Sequence, residues 1–136
     1  VKNKSIILID DSLVRGTTCH KIIKMLYEAG ANEVHVRIAC PQIKFPDFYG
    51  VDMPTKEELL AHGKNINEMT THIKATSLKF LSLEGLYLAL VGEKRNIIYP
   101  QFSDHYFTGD YPIKPSDKLK GLKVKQLSLL SGKSNS

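Results

Sequence analysis

The fold of this 136-residue chain is decided by the stretch Ser5-Ile6-Ile7-Leu8-Ile9-Asp10-Asp11-Ser12-Leu13-Val14-Arg15-Gly16-Thr17-Thr18. Its first five residues include four aliphatic side chains without polar alternation. Such a pattern predicts a parallel strand that is covered on both faces. Two carboxylates follow directly, and hydroxyls, an arginine and a glycine come next. This order predicts a strand, a short loop and the start of a helix.

A helix and a second strand are predicted after this stretch. Apolar residues recur at helical spacing over residues 17–29, and Gly30 stands where a helix-ending glycine is expected. Residues 34–39 then repeat the strand pattern, so the chain opens with a strand–helix–strand unit. Because ligands of open α/β sheets bind beyond the carboxyl ends of the strands, we expect a ligand site at Asp10 and Asp11.

The loop after the first strand combines groups that suit a phosphorylated ligand. Gly16 permits a close backbone approach, while Thr17 and Thr18 offer hydroxyls at a helix N-terminus, which favours anions. Asp10 and Asp11 supply the oxygen ligands that Mg2+ prefers. A turn with an N-cap would explain the two acids alone equally well, but not the glycine and threonines that follow. The residues therefore predict a phosphorylated ligand together with a divalent metal.

Four blocks of the sequence resemble the amidophosphoribosyltransferase family of type I phosphoribosyltransferases. In chain order they are Ile7–Thr18, Phe45–Thr55, Leu78–Leu86 and Phe107–Pro112. The first block is typical of the superfamily, and the second narrows the resemblance to this family. The resemblance implies an α/β fold, a type I phosphoribosyltransferase-like parallel sheet flanked by helices, which is present here as a partial domain.

The resemblance also implies an activity and a set of binding residues. The family makes 5-phosphoribosylamine from phosphoribosylpyrophosphate and glutamine, the first committed step of de novo purine nucleotide biosynthesis. The two aspartates would hold the ribose hydroxyls and place Mg2+, directly or through water, and residues 15–18 would wrap the 5′-phosphate. No residue is assigned a catalytic role. The implied binding residues are Asp10, Asp11, Ser12, Arg15, Gly16, Thr17 and Thr18.

Two alternative functions fit the same loop. One is another type I phosphoribosyltransferase, which salvages nucleobases. The other is a non-catalytic regulatory module that binds a phosphoribosyl group or a nucleotide. Salvage relatives place an acid at the position of Val14, where it serves as a base toward the nucleobase. Valine cannot act as a base, and ammonia needs none because it is already a neutral nucleophile, so Val14 favours amination.

The chain is shorter than the enzymes that it resembles, which carry an N-terminal glutaminase domain. We expect residues 1–113 to be the C-terminal part of the phosphoribosyltransferase domain and residues 114–136 to be a flexible Lys/Ser-rich tail. Without the glutaminase region, we expect no glutamine-dependent activity from this chain alone. The resemblance further implies a homo-oligomer for the full-length enzyme and purine nucleotides as regulators. The loop at residues 42–55 is the candidate border of a nucleotide site.

The net charge of +5 lies in the tail. The chain has 19 basic and 14 acidic side chains, and residues 114–136 hold six lysines against one aspartate. No aromatic residues alternate with these lysines, so we expect a solvated terminus and no nucleic-acid partner. No apolar run approaches the roughly 20 residues of a membrane span. We therefore expect no membrane partner and a cytoplasmic location.

The two cysteines, Cys19 and Cys40, suit a reducing cytosol and are expected to be inert core residues. Some members of the family bind a structural 4Fe–4S cluster through cysteines. The corresponding positions here are Asp47, Pro100 and Ser103, which cannot supply the thiolates that such clusters need. We therefore expect Mg2+ as the cofactor and no iron–sulfur cluster.

The rest of the chain is predicted to be structural. We expect the aromatic residues of the 42–55 loop to pack and anchor that loop. The predicted elements are helices over residues 55–62, 66–73 and 82–91, a buried strand at 78–81, and irregular or short β segments at 96–99 and 106–112.

Overall fold

The protein is described here by a computed structural model that covers residues 1–50 and 55–113. The predicted flexible tail and positions 51–54 of the second block lie outside the described residues. Three parallel strands form one sheet in the order β1 (Ser5–Asp10), β2 (Glu33–Ile38) and β3 (Ser77–Phe80). Within the described residues four helices accompany them, α1 (Thr17–Glu28), α2 (Ile66–Ile73), α3 (Leu83–Val91) and α4 (His105–Thr108), with a 3-10 turn at Lys56–Glu58. The prediction of an α/β fold with a parallel sheet and flanking helices is confirmed.

One face of the sheet builds the core. The strand register sets Leu8 beside Val36 and Val36 beside Leu78, and both Val36 and Val34 are fully buried. Helix α1 packs on β2 and α2 on β3, so their apolar sides close over this face. Each fully buried aliphatic side chain contributes about 1.5–3 kcal/mol. This face therefore fixes the carboxyl end of β1 relative to the start of α1.

The other face of β1 contradicts the prediction of a strand covered on both sides. Ile7 is 66% exposed and Ile9 is 73% exposed. Side chains alternate along a strand, and the partly buried Ile6 and Leu8 point to the face that α1 and α2 cover. Among the described residues, none covers Ile7 and Ile9 as α1 and α2 cover Ile6 and Leu8. A run of aliphatic residues shows that both faces of a strand could be buried, but it does not show that another element packs on each face.

The helix predicted over residues 55–62 is wrong beyond its first turn. The helical part ends at Glu58, and Leu59 adopts an extended conformation with a ψ of 120°. Leu59, Leu60 and Ala61 turn inward and are buried. The Leu60 N–H donates to the Val14 carbonyl oxygen at 2.8 Å, which replaces the helical hydrogen bond. Burial of three apolar side chains thus outweighs local helix propensity.

The remaining elements follow the sequence more closely. Helix α2 has the predicted bounds, and α3 begins after its N-cap Ser82. Residues 96–99 are irregular, whereas the segment predicted as irregular or short β at 106–112 contains α4, which ends at the left-handed Gly109. Among the described residues, no helix combines the length and the hydrophobicity needed to cross a membrane.

Candidate functional site

The residues of the predicted site lie together at the carboxyl end of β1. Asp10 is the last residue of this strand, and residues 11–16, named here the site loop, connect it to α1. Residues 10–19 line a cleft of about 320 Å³. All seven predicted binding residues lie along this cleft, although their roles in binding stay predictions.

The two aspartates are held by short-range hydrogen bonds. The Asp11 backbone N–H donates to Asp10 Oδ1 at 3.0 Å, and Ser12 Oγ donates to Asp11 Oδ1 at 3.1 Å. Asp10 is half-buried and Asp11 is exposed. Within residues 1–50 and 55–113, no hydrogen bond reaches the Oδ2 atom of either side chain. These two oxygens can therefore accept hydrogen bonds from hydroxyl groups or bind a cation. The Ser12 hydroxyl, in contrast, is hydrogen-bonded to Asp11.

The N-terminus of α1 offers backbone donors to an anion. Gly16 is its N-cap residue, with φ 79° and ψ −7°, and no side chain caps the helix. The first-turn N–H groups of a helix lack carbonyl partners within the helix and carry partial positive charge. The side chains of Thr17 and Thr18 are exposed beside them. This end of the site loop can hold a phosphate group.

The site loop packs against the extended segment that follows the 3-10 turn at Lys56–Glu58. An added Cβ on Gly16 would lie 2.8 Å from Leu60 Cδ2 and 3.3 Å from Ile73 Cγ2. The Leu60–Val14 backbone hydrogen bond joins the same two segments. Gly16 is therefore required twice, for its positive φ and for the space above Leu60.

Arg15 forms an ion pair with Glu58 that the sequence does not indicate. Its Nε donates to Glu58 Oε1 at 3.3 Å, and both side chains are about half exposed. Glu58 Oε2 also accepts from the Thr55 N–H at 3.0 Å and from Thr55 Oγ1 at 3.3 Å. The capping pattern of Thr55 and Glu58 is visible in the sequence, but nothing in it indicates that Arg15, 43 residues earlier, shares the same carboxylate.

A magnesium site would depend on the two aspartates. The described part of the chain holds no group of three or more His, Cys, Asp and Glu residues that could bind a metal ion. Mg2+ keeps several waters and is usually held by one or two carboxylates together with substrate phosphates. Asp10 and Asp11, two neighbouring carboxylates that line the cleft, fit this mode of binding.

The negative charges of Asp10 and Asp11 contribute to the raised pKa values of the two cysteine thiols. Burial, with a smaller contribution from the nearby Asp10 carboxylate, raises the pKa of the Cys19 thiol to about 11. Burial likewise raises the pKa of Cys40, with a contribution from Asp11. Both thiols are therefore protonated near neutral pH. The position of Cys19 in the first helical turn does not make it a reactive thiolate, which agrees with the inert role predicted for it.

A second polar cluster joins the loop after β2 to the C-terminal part of the fold. Nε2 of the buried His105 lies 2.8 Å from Asp47 Oδ1, and its Nδ1 lies 3.0 Å from Ser103 Oγ. The Tyr49 ring meets the His105 ring edge-on, with centroids 5.2 Å apart, and Tyr111 lies 5.0 Å away. Phe48 and Tyr49 of this loop thus contact the rings of Tyr111 and His105, although they remain 55% and 46% exposed. Asp47 and Ser103, two of the three positions that correspond to iron–sulfur cysteines in relatives, therefore both contact His105. Nothing in the sequence indicates this contact.

A third cluster, also missed, fixes the segment after α3. Asp104 accepts from Arg95 Nε and Nη2 and from the Tyr87 hydroxyl at 2.8 Å, and Arg95 also pairs with Asp110. Burial raises the pKa of Asp104, but hydrogen bonds from Arg95 and Tyr87 outweigh burial, so the net shift of this pKa is downward. The cluster lies outside the residues that line the cleft of the predicted site.

Comparison with known proteins agrees with this geometry. The chain is 52% identical over 132 residues to an amidophosphoribosyltransferase of Rhizobium etli. This match covers 96% of the chain and 27% of that protein. It is 46% identical over 123 residues to an amidophosphoribosyltransferase of Staphylococcus epidermidis, covering 90% of the chain and 25% of that protein. No protein-family model matches the chain.

A solved structure shares the fold. The glutamine phosphoribosylpyrophosphate amidotransferase of B. subtilis, complexed with ADP and GMP, superimposes with a TM-score of 0.75 at 45% identity. The match covers 86% of this chain and 26% of that one. The chain therefore spans about a quarter of the length of the relatives that it matches.

Proposed function

The chain is homologous to one segment of the amidophosphoribosyltransferases, and from this premise we propose that it forms the phosphoribosylpyrophosphate-binding part of such an enzyme. The parent enzyme makes 5-phosphoribosylamine from phosphoribosylpyrophosphate and glutamine. The observation that carries the proposal is the cleft of residues 10–19, which is lined by two aspartates and by the N-terminus of α1, a helix without a side-chain cap. A sugar phosphate needs this pair of features, because its hydroxyls require acceptors and its phosphate requires donors.

Each part of the cleft has a task in phosphoribosyl transfer. Pyrophosphate leaves the anomeric carbon through a transition state in which positive charge grows on the ribose. Asp10 and Asp11 hold the ribose hydroxyls, and their negative charge stabilises this cationic sugar. The donors of residues 15–18 hold the 5′-phosphate, which fixes the ribose in one orientation. Asp10 and Asp11 would hold Mg2+, which would supply positive charge to offset the negative charge of the pyrophosphate.

The nucleophile of the proposed reaction is ammonia and not a nucleobase. Val14 is half-buried, and its carbonyl oxygen is engaged by the Leu60 N–H. The position from which salvage relatives present an acid is therefore apolar here. Ammonia needs no base before it attacks. Nucleobase salvage and a purely regulatory binding module remain the alternatives that the experiment below has to exclude.

The proposal extends to the parent enzyme. Its glutaminase would release the ammonia, and purine nucleotides would regulate it from a site bordered by residues 42–55, in a homo-oligomer located in the cytoplasm. The B. subtilis relative was solved with ADP and GMP, which supports the nucleotide part. The proposed cofactor is Mg2+ without an iron–sulfur cluster, because Asp47 and Ser103 bond to His105 and offer no thiolate.

Binding can be tested on the chain itself. Titration of the 15N-labelled protein with phosphoribosylpyrophosphate and Mg2+ should shift amide resonances of residues 10–19, and a free nucleobase without the sugar phosphate should not. Shifts that arise only elsewhere, or none at saturating ligand, would contradict the proposal. Incubation with glutamine should yield no phosphoribosylamine from this chain alone. A parent enzyme that transfers nucleobases but not ammonia would favour salvage.

A further inference from the structure

Glu58 contacts the site loop from outside the cleft. Its Oε1 atom lies 3.3 Å from Arg15 Nε, and its Oε2 atom accepts both the backbone N–H and the hydroxyl of Thr55. Glu58 itself is not among the residues that line the cleft. One carboxylate thus ties the arginine of the site loop to the 3-10 turn at Lys56–Glu58.

Glu58 is well placed to fix the direction of the Arg15 side chain. The 3-10 turn continues directly into Leu59 and Leu60, which are 1% and 4% exposed. The Leu60 N–H donates at 2.8 Å to the carbonyl oxygen of Val14, which is the residue before Arg15. Thr55 therefore holds the carboxylate, and the buried Leu59 and Leu60 fix the backbone that follows Glu58. A side chain held in this way can orient a flexible partner.

The contact leaves most of the guanidinium unused. Arginine has five N–H donors, and Glu58 receives only the one on Nε. In the part of the chain that the structure describes, no hydrogen bond is made by Nη1 or Nη2 of Arg15. These two groups form the edge of the fork that binds phosphate oxygens in pairs.

We propose that Glu58 is a positioning residue for the phosphoribosyl ligand: it holds Arg15 through Nε, so that the two Nη groups face the 5′-phosphate as a prearranged pair. The inference rests on the proposed function, because it names how that function's phosphate is recognised. Arg15 then binds the ligand, and Glu58 acts only through Arg15. An exposed ion pair adds little to stability, so the value of this contact is expected in ligand affinity rather than in folding.

The test compares four variants of the full chain by calorimetric titration with phosphoribosylpyrophosphate and Mg2+. Glu58→Gln keeps an oxygen that can accept from the Thr55 N–H but loses the charge that attracts Arg15. Glu57→Gln is the matched control, because it removes a charge from the same turn and Glu57 has no hydrogen bond to Arg15 in the described structure. Arg15→Gln and the double variant Arg15→Gln/Glu58→Gln complete a double-mutant cycle.

The proposal predicts an affinity loss of about two- to fivefold for Glu58→Gln, the size expected for an exposed charge pair. Glu57→Gln should bind like the wild type, and in the Arg15→Gln background the second substitution should have no further effect. The Arg15 Nε–H resonance should shift in Glu58→Gln and not in Glu57→Gln. A merely structural role would instead weaken binding equally in both backgrounds.

Three results would count against the proposal, and they differ in what they overturn. Wild-type affinity in Glu58→Gln would remove Glu58 from ligand binding while leaving the proposed function intact. Additive losses in the double variant would show that Glu58 does not act through Arg15. Failure of the wild-type chain to bind the ligand would overturn the proposed function, and the role of Glu58 with it.

Discussion

Replacing Gly16 with alanine should destabilise the protein through two separable effects. The first is the backbone, because φ is +79° at this position and an L-residue in the left-handed region costs about 1–2 kcal/mol. The second is space, because the new Cβ would lie 2.8 Å from Leu60 Cδ2, and overpacking of a core costs about 1–3 kcal/mol. Leu60 is only 4% exposed, so its side chain has little room to give way.

Gly63 provides the matched control that separates these effects. Its φ is +74°, and an added Cβ would have no neighbour within 4 Å. Gly63→Ala therefore carries the backbone cost alone, partly offset by about 0.4–1 kcal/mol from a less flexible unfolded chain. Gly16→Ala should be less stable than Gly63→Ala by about 1–3 kcal/mol.

The assay is urea denaturation of both variants, followed by circular dichroism and extrapolated to the free energy of unfolding in water. In a Leu60→Ala background the same Gly16→Ala substitution should cost less than in the wild type, since the methyl group that obstructs the new Cβ is gone, while Leu60→Ala itself costs about 2–5 kcal/mol. Equal stability of the two alanine variants would refute the reasoning. The site loop would then not be pressed against Leu60.

Two further predictions concern the polar clusters and the cysteines. Asp104→Asn should lower the free energy of unfolding by about 3 kcal/mol at pH 7, because it breaks a buried pair with Arg95. The pKa of Asp104 is lowered by folding, so its contribution is present above the unfolded value of about 3.9 and is lost as the pH falls through the folded value; a difference between variant and wild type that stays constant down to pH 2 would contradict this. Cys19, 2% exposed and with a pKa near 11, should react with iodoacetamide at pH 8 far more slowly than the half-buried Cys40, as followed by mass spectrometry. Equal rates for the two thiols would show that α1 opens readily.

The opening strand, loop and helix could be predicted because each is decided by neighbouring residues. The aliphatic run stops at Asp10, Gly16 permits the positive φ that begins α1, and Gly30 follows its end. The same is true of α2, whose capping residues lie at its own N-terminus. Local patterns therefore located the cleft and the residues that line it.

Features that depend on contacts distant in sequence could not be predicted in this way. The helix expected beyond Glu58 ends because Leu60 bonds to Val14, 46 residues earlier. Arg15 and Glu58 are 43 residues apart, and Asp47 meets His105 across 58 residues. The exposed Ile7 and Ile9 belong to the same class, because the sequence does not report what covers the second face of a sheet.

The proposed function depends on the binding of a phosphorylated ribose by the aspartates at the end of β1. The most direct test is the affinity of the chain for phosphoribosylpyrophosphate with Mg2+, measured for the wild type and for Asp10→Asn/Asp11→Asn at matched thermal stability. The double variant should bind at least about tenfold more weakly, the loss expected when charged hydrogen-bond acceptors worth about 1.5–3 kcal/mol are removed. Unchanged affinity in a folded double variant would contradict the proposed function.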